Sequence, residues 1–499
     1  MILKYRNYSL LILLSSVWSL LLFHYWSYDY GLYYNQSVNI SDQYKLYSNI
    51  FETKGPALYF FINLLSKFIG VGVFQSYFTL CFIVFLFFSS IYFIASKQTK
   101  KNFFLLFFFL ISILHQQNIN ISLPLFQFAF QILSFYYLIN SLDKDHYKNF
   151  TISSLLFIIS FFTKIDVIIY LPLYLMRILY FHDYKTKIFF IFAFCIKFFL
   201  LFLFFSFILD FSFKDYWFHN YVFNSEQTGA TWGREPFFKI FNSPYHIYLM
   251  MFTGVGILFM EIMNEILKKK NVNFINIFNK KTFNKKFFFQ FIMVLLGSFV
   301  WLWSGTDKNY HVFMVFLPMI FVISYNYNLL DKFNFKLFFY YILTFFFFLI
   351  TLYPDTYNVI NNKCWKNSSK CNRTSDYIKL ADNLKNHPID KDIFILGSDG
   401  GWEFLLSNKK ISKTLADYLL YVDSIDNEKR IPFNLPDYLI KDYEKLLSQD
   451  KGFVFWIATD LVKSVNLKSG LVASERLLKL LSISKPIKDL GKFYRYELM

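Results

Sequence analysis

The sequence predicts an α-helical membrane protein that crosses the bilayer many times and carries a small α/β domain outside the membrane at its C-terminal end. Two observations lead to this fold class. Apolar runs recur from Leu10 to Ile350, and only 17% of the 499 residues are charged, against about 25% in an ordinary soluble domain. After residue 353 the Phe-rich runs stop, and Asp, Glu, Lys, Ser and Asn become frequent.

Several apolar runs, including Ile188–Leu209 and Lys336–Leu352, are long enough to cross a hydrocarbon core as a helix. A helix rises about 1.5 Å per residue, so a span needs about 20 residues. We predict about eleven transmembrane helices on this basis. Their bounds are 8–26, 73–96, 103–118, 123–141, 151–163, 166–182, 188–209, 246–267, 288–304, 311–329 and 337–353.

The charges of the short loops predict the orientation. Lys4 and Arg6 precede the first span, and Lys recurs in every second connection, most densely at 268–286. Because cytoplasmic loops carry the excess of Lys and Arg, we expect a cytoplasmic N-terminus in a bacterial inner membrane. The N-terminal run lacks a clear small-residue cleavage site and is interpreted as a retained span. The segments expected on the periplasmic face are 27–72, 210–245 and 354–499.

The stretch 151–182 has two interpretations. A tight hairpin around Lys164 and Asp166 makes two short spans, whereas a single long helix makes one and inverts every later loop. The single helix would place the Lys-rich 268–286 loop outside, against the charge rule. We therefore predict the hairpin, with the two charges at its tip neutralising each other or facing a cavity.

The chain divides into a membrane domain, 1–353, and an α/β domain, 354–499. In the second domain Ile393–Leu396 and Phe453–Ile457 are predicted to be buried strands. Asp376–Asn386 and Leu435–Leu447 are predicted to be amphipathic helices.

Cys364 and Cys371 lie close together in the sequence of the outer domain. An oxidising compartment would allow them to form a disulfide. Two reduced surface thiols are the alternative. A metal site needs more ligands than these, and no further cluster of Cys or His accompanies them in the sequence.

The chain carries a net charge of +17. Nucleic-acid binding is one interpretation of such a charge, but the Lys residues concentrate in loops between spans, which favours the membrane interpretation. Two Asp-x-Asp patterns, at 143–145 and 390–392, resemble those of nucleotide-sugar enzymes. The first lies in a loop too short for a nucleotide-binding domain, and the second lies in the outer domain. No Gly-x-Gly-x-x-Gly or Walker sequence is present.

The first outer segment carries the residues best suited to chemistry. Asp29 follows the first span almost directly, among aromatic residues, where a carboxylate can accept a proton from a hydroxyl. Lys54 lies in a Gly-Pro turn before the amphipathic stretch Ala57–Ile69. A cation there is at the level of lipid phosphates. Asp42 and Glu52 are further acidic candidates in this segment.

This segment resembles a known family. Asp29-x-Gly31, followed further on by Lys54-Gly55-Pro56-x-x-Tyr59, is similar to the polyprenyl-phosphate-sugar-dependent glycosyltransferases of the GT-C superfamily. It is most like the bacterial branch often described as dolichyl-phosphate-mannose protein mannosyltransferase-like. Three other regions agree with that family. They are Gly305–His311 followed by Pro318; Trp217, Asn220 and Tyr221; and, in the outer domain, Asp392–Gly397 with Trp402–Ser407 and Lys409–Lys410.

The resemblance implies an activity and a set of site residues. An acceptor hydroxyl of a glycan, lipid or protein attacks the anomeric carbon of a sugar that is carried on a polyprenyl phosphate, usually with inversion. Asp29 is implied as the base. Cations are needed for the charge that develops on the departing phosphate. The candidates for this role are Lys54, Lys308, His311 and Arg234.

The chain departs from the family in the second outer loop. Relatives often have an acidic residue there, whereas 115–122 contains none. A second acidic role would fall to Asp42, Glu52 or Asp307. We expect no required cofactor and no metal site, although a divalent metal is conceivable in this family.

Two other functions remain open. A transporter or flippase of a lipid-linked saccharide predicts an internal repeat and helices broken deep in the bilayer, but the sequence shows no repeat. A non-catalytic membrane subunit with a degenerate site is compatible with the missing acid in 115–122. Lys308 and His311 could also be ordinary interfacial residues at the mouth of a span.

Overall fold

The computed structural model describes most of the region 1–353 and part of the region 354–499, which keep their predicted names of membrane region and outer domain. The described residues are 2–25, 28–41, 45–47, 54–98, 122–142, 146–181, 183–222, 285–303, 312–326, 375–385, 394–396, 413–415, 454–458, 481–489 and 493–498, with single positions at 107, 110, 111, 114 and 448.

The described part of the chain is mainly helical. The helices are α1 (Ile2–Tyr25), α2 (Tyr28–Asn39), α3 (Pro56–Ile69), α4 (Val73–Gln98), α5 (Ser122–Asn140), α6 (His146–Phe161), α7 (Leu171–Leu179), α8 (Tyr184–Leu209), α9 (Phe213–Trp217), α10 (Lys285–Trp303), α11 (Val312–Tyr325) and α12 (Ser375–Lys385). A 3₁₀ helix, Ile165–Tyr170, precedes α7, and a π-helical turn, Phe218–Val222, follows α9.

Each predicted span that falls on described residues coincides with a helix. Three of these helices are long and apolar enough to cross a membrane by themselves: Phe74–Lys97, Leu123–Asn140 and Tyr184–Leu209. The predicted span 103–118 is described at four positions, and all four are helical. The predicted spans 246–267 and 337–353 lie outside the described residues, so the number of spans stays a prediction.

Helix α8 shows how the sequence sets the bounds of a span. The Asp183 carboxylate accepts a hydrogen bond from the Thr186 N–H at 3.0 Å and caps the first turn. The helix ends at Asp210, whose left-handed backbone (φ 51°) lets its N–H bond the Ser206 carbonyl. Between these ends one face is exposed, with Phe189, Phe192 and Phe207 among its side chains. This is the face expected to meet lipid.

The hairpin prediction for 151–182 is confirmed, and the single-helix alternative is wrong. Helix α6 ends at Phe161, and Lys164 has an extended backbone. The chain then returns along α6, because the ring centroids of Phe157 and Tyr174 are 4.3 Å apart. The reversal brings α7 back beside the helix that precedes it.

The described part of the outer domain contains a five-stranded mixed sheet. Its strands are β1 (Phe394–Leu396), β2 (Lys413–Leu415), β3 (Val454–Ala458), β4 (Ser484–Asp489) and β5 (Phe493–Leu498), in the order β2-β1-β3-β5-β4. Strand β1 pairs in parallel with β2 and β3, whereas β5 is antiparallel to β3 and β4. Strands β1 and β3 and helix α12 agree with the predictions, and the predicted helix Leu435–Leu447 lies outside the described residues.

A lysine lies near the middle of α8. The Lys197 ammonium donates to the Ser154 hydroxyl at 2.7 Å and to the Thr151 carbonyl at 3.3 Å, both on α6. Within the described ranges no carboxylate pairs with it. Charged groups within a span are costly and need polar partners. The Ser154 hydroxyl is therefore expected to stabilise this helix pair.

We predict that Ser154→Ala lowers the free energy of unfolding by about 1–2 kcal/mol, because the ammonium loses its nearest partner. Adding Lys197→Met should recover most of that loss, because an apolar side chain needs no partner there. Thermal unfolding in detergent measures both effects. Ser90→Ala is the control, since the Ser90 hydroxyl bonds only the Leu86 carbonyl of its own helix. Equal losses for Ser154→Ala and Ser90→Ala would contradict the prediction.

Candidate functional site

The start of α3 is joined to the tip of the α6–α7 hairpin by backbone hydrogen bonds. The Gly55 N–H donates to the Thr163 carbonyl at 3.1 Å, and the Ala57 N–H donates to the Phe162 carbonyl at 2.9 Å. Pro56 opens the helix, where its missing N–H costs nothing. The Lys54-Gly55-Pro56 motif therefore lies directly against the tip of the hairpin.

Gly55 is required by this close approach. Its backbone is extended (φ −69°, ψ 159°), so any residue could adopt its conformation. However, a Cβ atom on Gly55 would overlap the Phe162 carbonyl oxygen. That atom belongs to backbone already bonded to Ala57, so it cannot move aside as a side chain would. The glycine of the motif thus provides room for the contact.

A second contact holds the backbone of Lys54 from another direction. The Tyr47 hydroxyl donates to the Lys54 carbonyl at 2.5 Å. The side chain of Tyr47 is fully buried, and its ring lies 5.1 Å from the ring of Phe211 and 5.7 Å from that of Tyr216. Beside it, Lys45 forms an ion pair with Asp210. The first outer segment is thereby attached to the segment that follows α8.

Helix α2, which contains Asp29, follows α1 in the chain and packs on α3. The Asn63 side-chain amide donates to the Ser37 carbonyl at 2.8 Å, and the rings of Tyr33 and Tyr59 meet edge to face at 5.9 Å. Asp29 is the second residue of α2, and its carboxylate lies outside the described part of the structure.

The hairpin tip carries its own charged pair. Lys164 and Asp166 form an ion pair whose side chains are only 15% and 19% exposed. The Gln127 side-chain amide donates to the Lys164 carbonyl at 2.7 Å and connects the tip to α5. The prediction that these two charges neutralise each other is confirmed. Because Lys164 follows Thr163, the pair lies next to the Lys54-Gly55-Pro56 contact.

Aromatic residues extend the site from Tyr47 to the segment that follows the C-terminal end of α8. The rings of Trp217 and Tyr221 stack at 4.3 Å, and Tyr216 lies 6.0 Å from Tyr221. Burial raises the pKa values of Tyr216 and Tyr221 above that of an ordinary tyrosine. Like ordinary tyrosines, these two phenols are protonated at neutral pH, so they can donate hydrogen bonds.

Most of the other predicted site residues lie outside the described residues. These are Asp42, Glu52, Arg234, Lys308 and His311, together with the disulfide candidates Cys364 and Cys371. Their roles stay predictions. Within the part of the chain that is described, no group of three or more His, Cys, Asp or Glu side chains could hold a metal ion.

The sequence analysis missed Tyr47 and the partner of Gly55. Tyr47 is one of 37 tyrosines in a chain that is 23% aromatic, so nothing in the sequence distinguishes it. The partner of Gly55 is a backbone carbonyl, which any residue type provides. A glycine before a helix-initiating proline was the available signal, because it is compatible with a close backbone contact.

We predict that Gly55→Ala lowers the free energy of unfolding by about 1–3 kcal/mol, the usual cost of forcing an extra group into a packed site. Chemical unfolding in detergent measures it. Gly72→Ala is the matched control, since a Cβ there meets only the flexible end of the Gln75 side chain. If both alanine variants are equally stable, the contact between Gly55 and Phe162 does not form in solution.

The fold is similar to that of two solved structures of ArnT from Cupriavidus metallidurans. The structure of ArnT bound to undecaprenyl phosphate matches with a TM-score of 0.54 and 9% identity, over 98% of this chain and 98% of that chain. The apo structure matches with a TM-score of 0.55 and 9% identity, over 94% and 93%. No protein-family model matches the sequence, and no curated protein matches it. The likeness to the ArnT fold thus extends along nearly the whole chain.

Proposed function

We propose that this protein is a membrane glycosyltransferase that moves a sugar from a polyprenyl-phosphate carrier to a hydroxyl group of a cell-envelope glycan, lipid or protein. The observation that carries the proposal is the end-to-end likeness to ArnT, one structure of which is bound to undecaprenyl phosphate. The likeness covers the membrane helices and the outer domain together, so it is not a match between isolated helix pairs.

The local geometry supports a donor phosphate near Lys54. This residue lies just before Gly55, the N-terminal cap of α3. The ammonium group of a lysine favours an anion at that point. Hydrogen bonds from Tyr47 and to Thr163 hold the backbone on both sides of the motif. The backbone of Lys54 is therefore fixed. A fixed backbone helps to keep the ammonium group where the negative charge develops.

In the proposed reaction the acceptor hydroxyl attacks the anomeric carbon of the carrier-bound sugar. A new C–O bond forms, the bond from the anomeric carbon to the phosphate oxygen breaks, and polyprenyl phosphate leaves. Asp29 accepts the proton of the attacking hydroxyl. Lys54 stabilises the negative charge of the departing phosphate, with Lys308, His311 and Arg234 as further candidates. The charge pattern of the loops supports a reaction on the periplasmic face of the inner membrane, with the N-terminus in the cytoplasm.

We predict that Asp29→Asn lowers kcat about 10²- to 10⁴-fold, the usual share of general-base catalysis, and leaves KM for the donor within a few-fold of wild type. Sugar transfer in membranes, supplied with a panel of radiolabelled polyprenyl-phosphate sugars, measures this. Asp382→Asn, an exposed residue paired with Lys385 in the outer domain, is the control at equal protein level. Full activity of Asp29→Asn would move the base to Asp42, Glu52 or Asp307.

We predict that Lys54→Gln lowers kcat/KM about 10²- to 10³-fold, the effect of removing one donor that stabilises developing charge. Lys67→Gln is the control, because Lys67 is an exposed lysine in the last turn of α3, the helix that Lys54 precedes. Equal effects of the two substitutions would show that only the general surface charge of α3 matters. If the wild type transfers sugar from none of the donors tested, the result would contradict the proposed glycosyltransferase activity. It would favour a transporter or a non-catalytic subunit.

A further inference from the structure

Lys54 belongs to a short motif whose backbone is held from two sides. On one side the hairpin tip accepts the N–H groups of Gly55 and Ala57. On the other side Tyr47 donates to the Lys54 carbonyl at 2.5 Å. In the peptide that joins Lys54 to Gly55, the carbonyl therefore accepts a hydrogen bond from Tyr47, and the N–H donates one to Thr163. A rotation of this peptide would break both hydrogen bonds.

Tyr47 is itself firmly held. Its side chain is fully buried, and its ring contacts the rings of Phe211, Tyr216 and His219, all of which follow α8. Its backbone is left-handed (φ 64°), a conformation that is unfavourable for a residue with a Cβ. Such a conformation persists only where the surrounding contacts determine it.

We infer that Tyr47 is a positioning residue for Lys54. Its ring is seated in the segment after α8, and its hydroxyl holds the Lys54 peptide, so it connects two outer segments that are far apart in sequence. Through this connection it sets the direction in which the Lys54 ammonium is presented to the donor phosphate. Tyr47 does not touch the reacting atoms, and its contribution acts entirely through Lys54. This inference rests on the proposed function, in which Lys54 binds the phosphate.

Tyr47→Phe tests the inference, because it keeps the buried ring and removes only the hydroxyl. The kcat/KM value for the polyprenyl-phosphate sugar should fall about fivefold, in line with the loss of one hydrogen bond, because a less well positioned Lys54 stabilises the departing phosphate less. In a Lys54→Gln background the same substitution should have no further effect on kcat/KM. Tyr77→Phe is the matched control, since the Tyr77 hydroxyl donates to the Ser16 carbonyl at 2.8 Å, between two membrane helices.

A second measurement does not depend on turnover. The purified protein is treated with an amine-acylating reagent, with decaprenyl phosphate, with decaprenol or with neither, and the labelling of Lys54 is measured by mass spectrometry. Lys67, in the last turn of α3, is the internal control. Decaprenyl phosphate, but not decaprenol, should protect Lys54 in the wild type, and Tyr47→Phe should need several times more lipid for the same protection.

The outcomes separate the inference from the function on which it rests. Protection of Lys54 in the wild type, with unchanged kcat/KM and unchanged protection in Tyr47→Phe, would overturn the inference and leave the proposed function standing. An equal effect of Tyr47→Phe with and without Lys54 would also overturn it, because the substitution would then act on stability in general. If decaprenyl phosphate fails to protect Lys54 in the wild type, Lys54 does not bind the phosphate, and the inference is wrong as well.

Discussion

Much of the described site depends on one contact, in which the first turn of α3 donates two hydrogen bonds to the end of α6. A helix leaves its first N–H groups and its last carbonyls without partners inside the helix. Here the N–H groups of Gly55 and Ala57 meet the carbonyls of Thr163 and Phe162, so each helix end satisfies the other. Near a membrane, where unsatisfied backbone groups are costly, this exchange favours one relative position of the two elements.

The other contacts of the site build on this one. Once α3 begins at the hairpin tip, Lys54 lies beside the ion pair of Lys164 and Asp166. Tyr47 then attaches the same peptide to the aromatic residues after α8. Three regions that are distant in sequence thus meet around a single lysine. Coupling of this kind makes effects of substitutions non-additive, which is why the double substitution of Tyr47 and Lys54 is more informative than either alone.

The sequence predicted the parts of this structure that depend on composition and spacing. Helix α3 could be predicted from Pro56 at its start, and the hairpin from two charges in an apolar run, because both are local signals. Helix α2 was not predicted, since its Tyr, Asn and Gln residues show no clear apolar face. Tyr47 could not be distinguished among the many aromatic residues. The contact of Gly55 with the hairpin tip could not be predicted, because a backbone carbonyl has no sequence signature.

Backbone contacts of this kind make a shared fold compatible with the 9% identity to ArnT, because a contact between N–H and C=O groups constrains few side chains. In this chain the contact requires a glycine where two backbones approach closely, and it accepts a proline where no N–H is needed. The surrounding apolar residues can change without loss of the junction, provided that they stay apolar and fill the same volume.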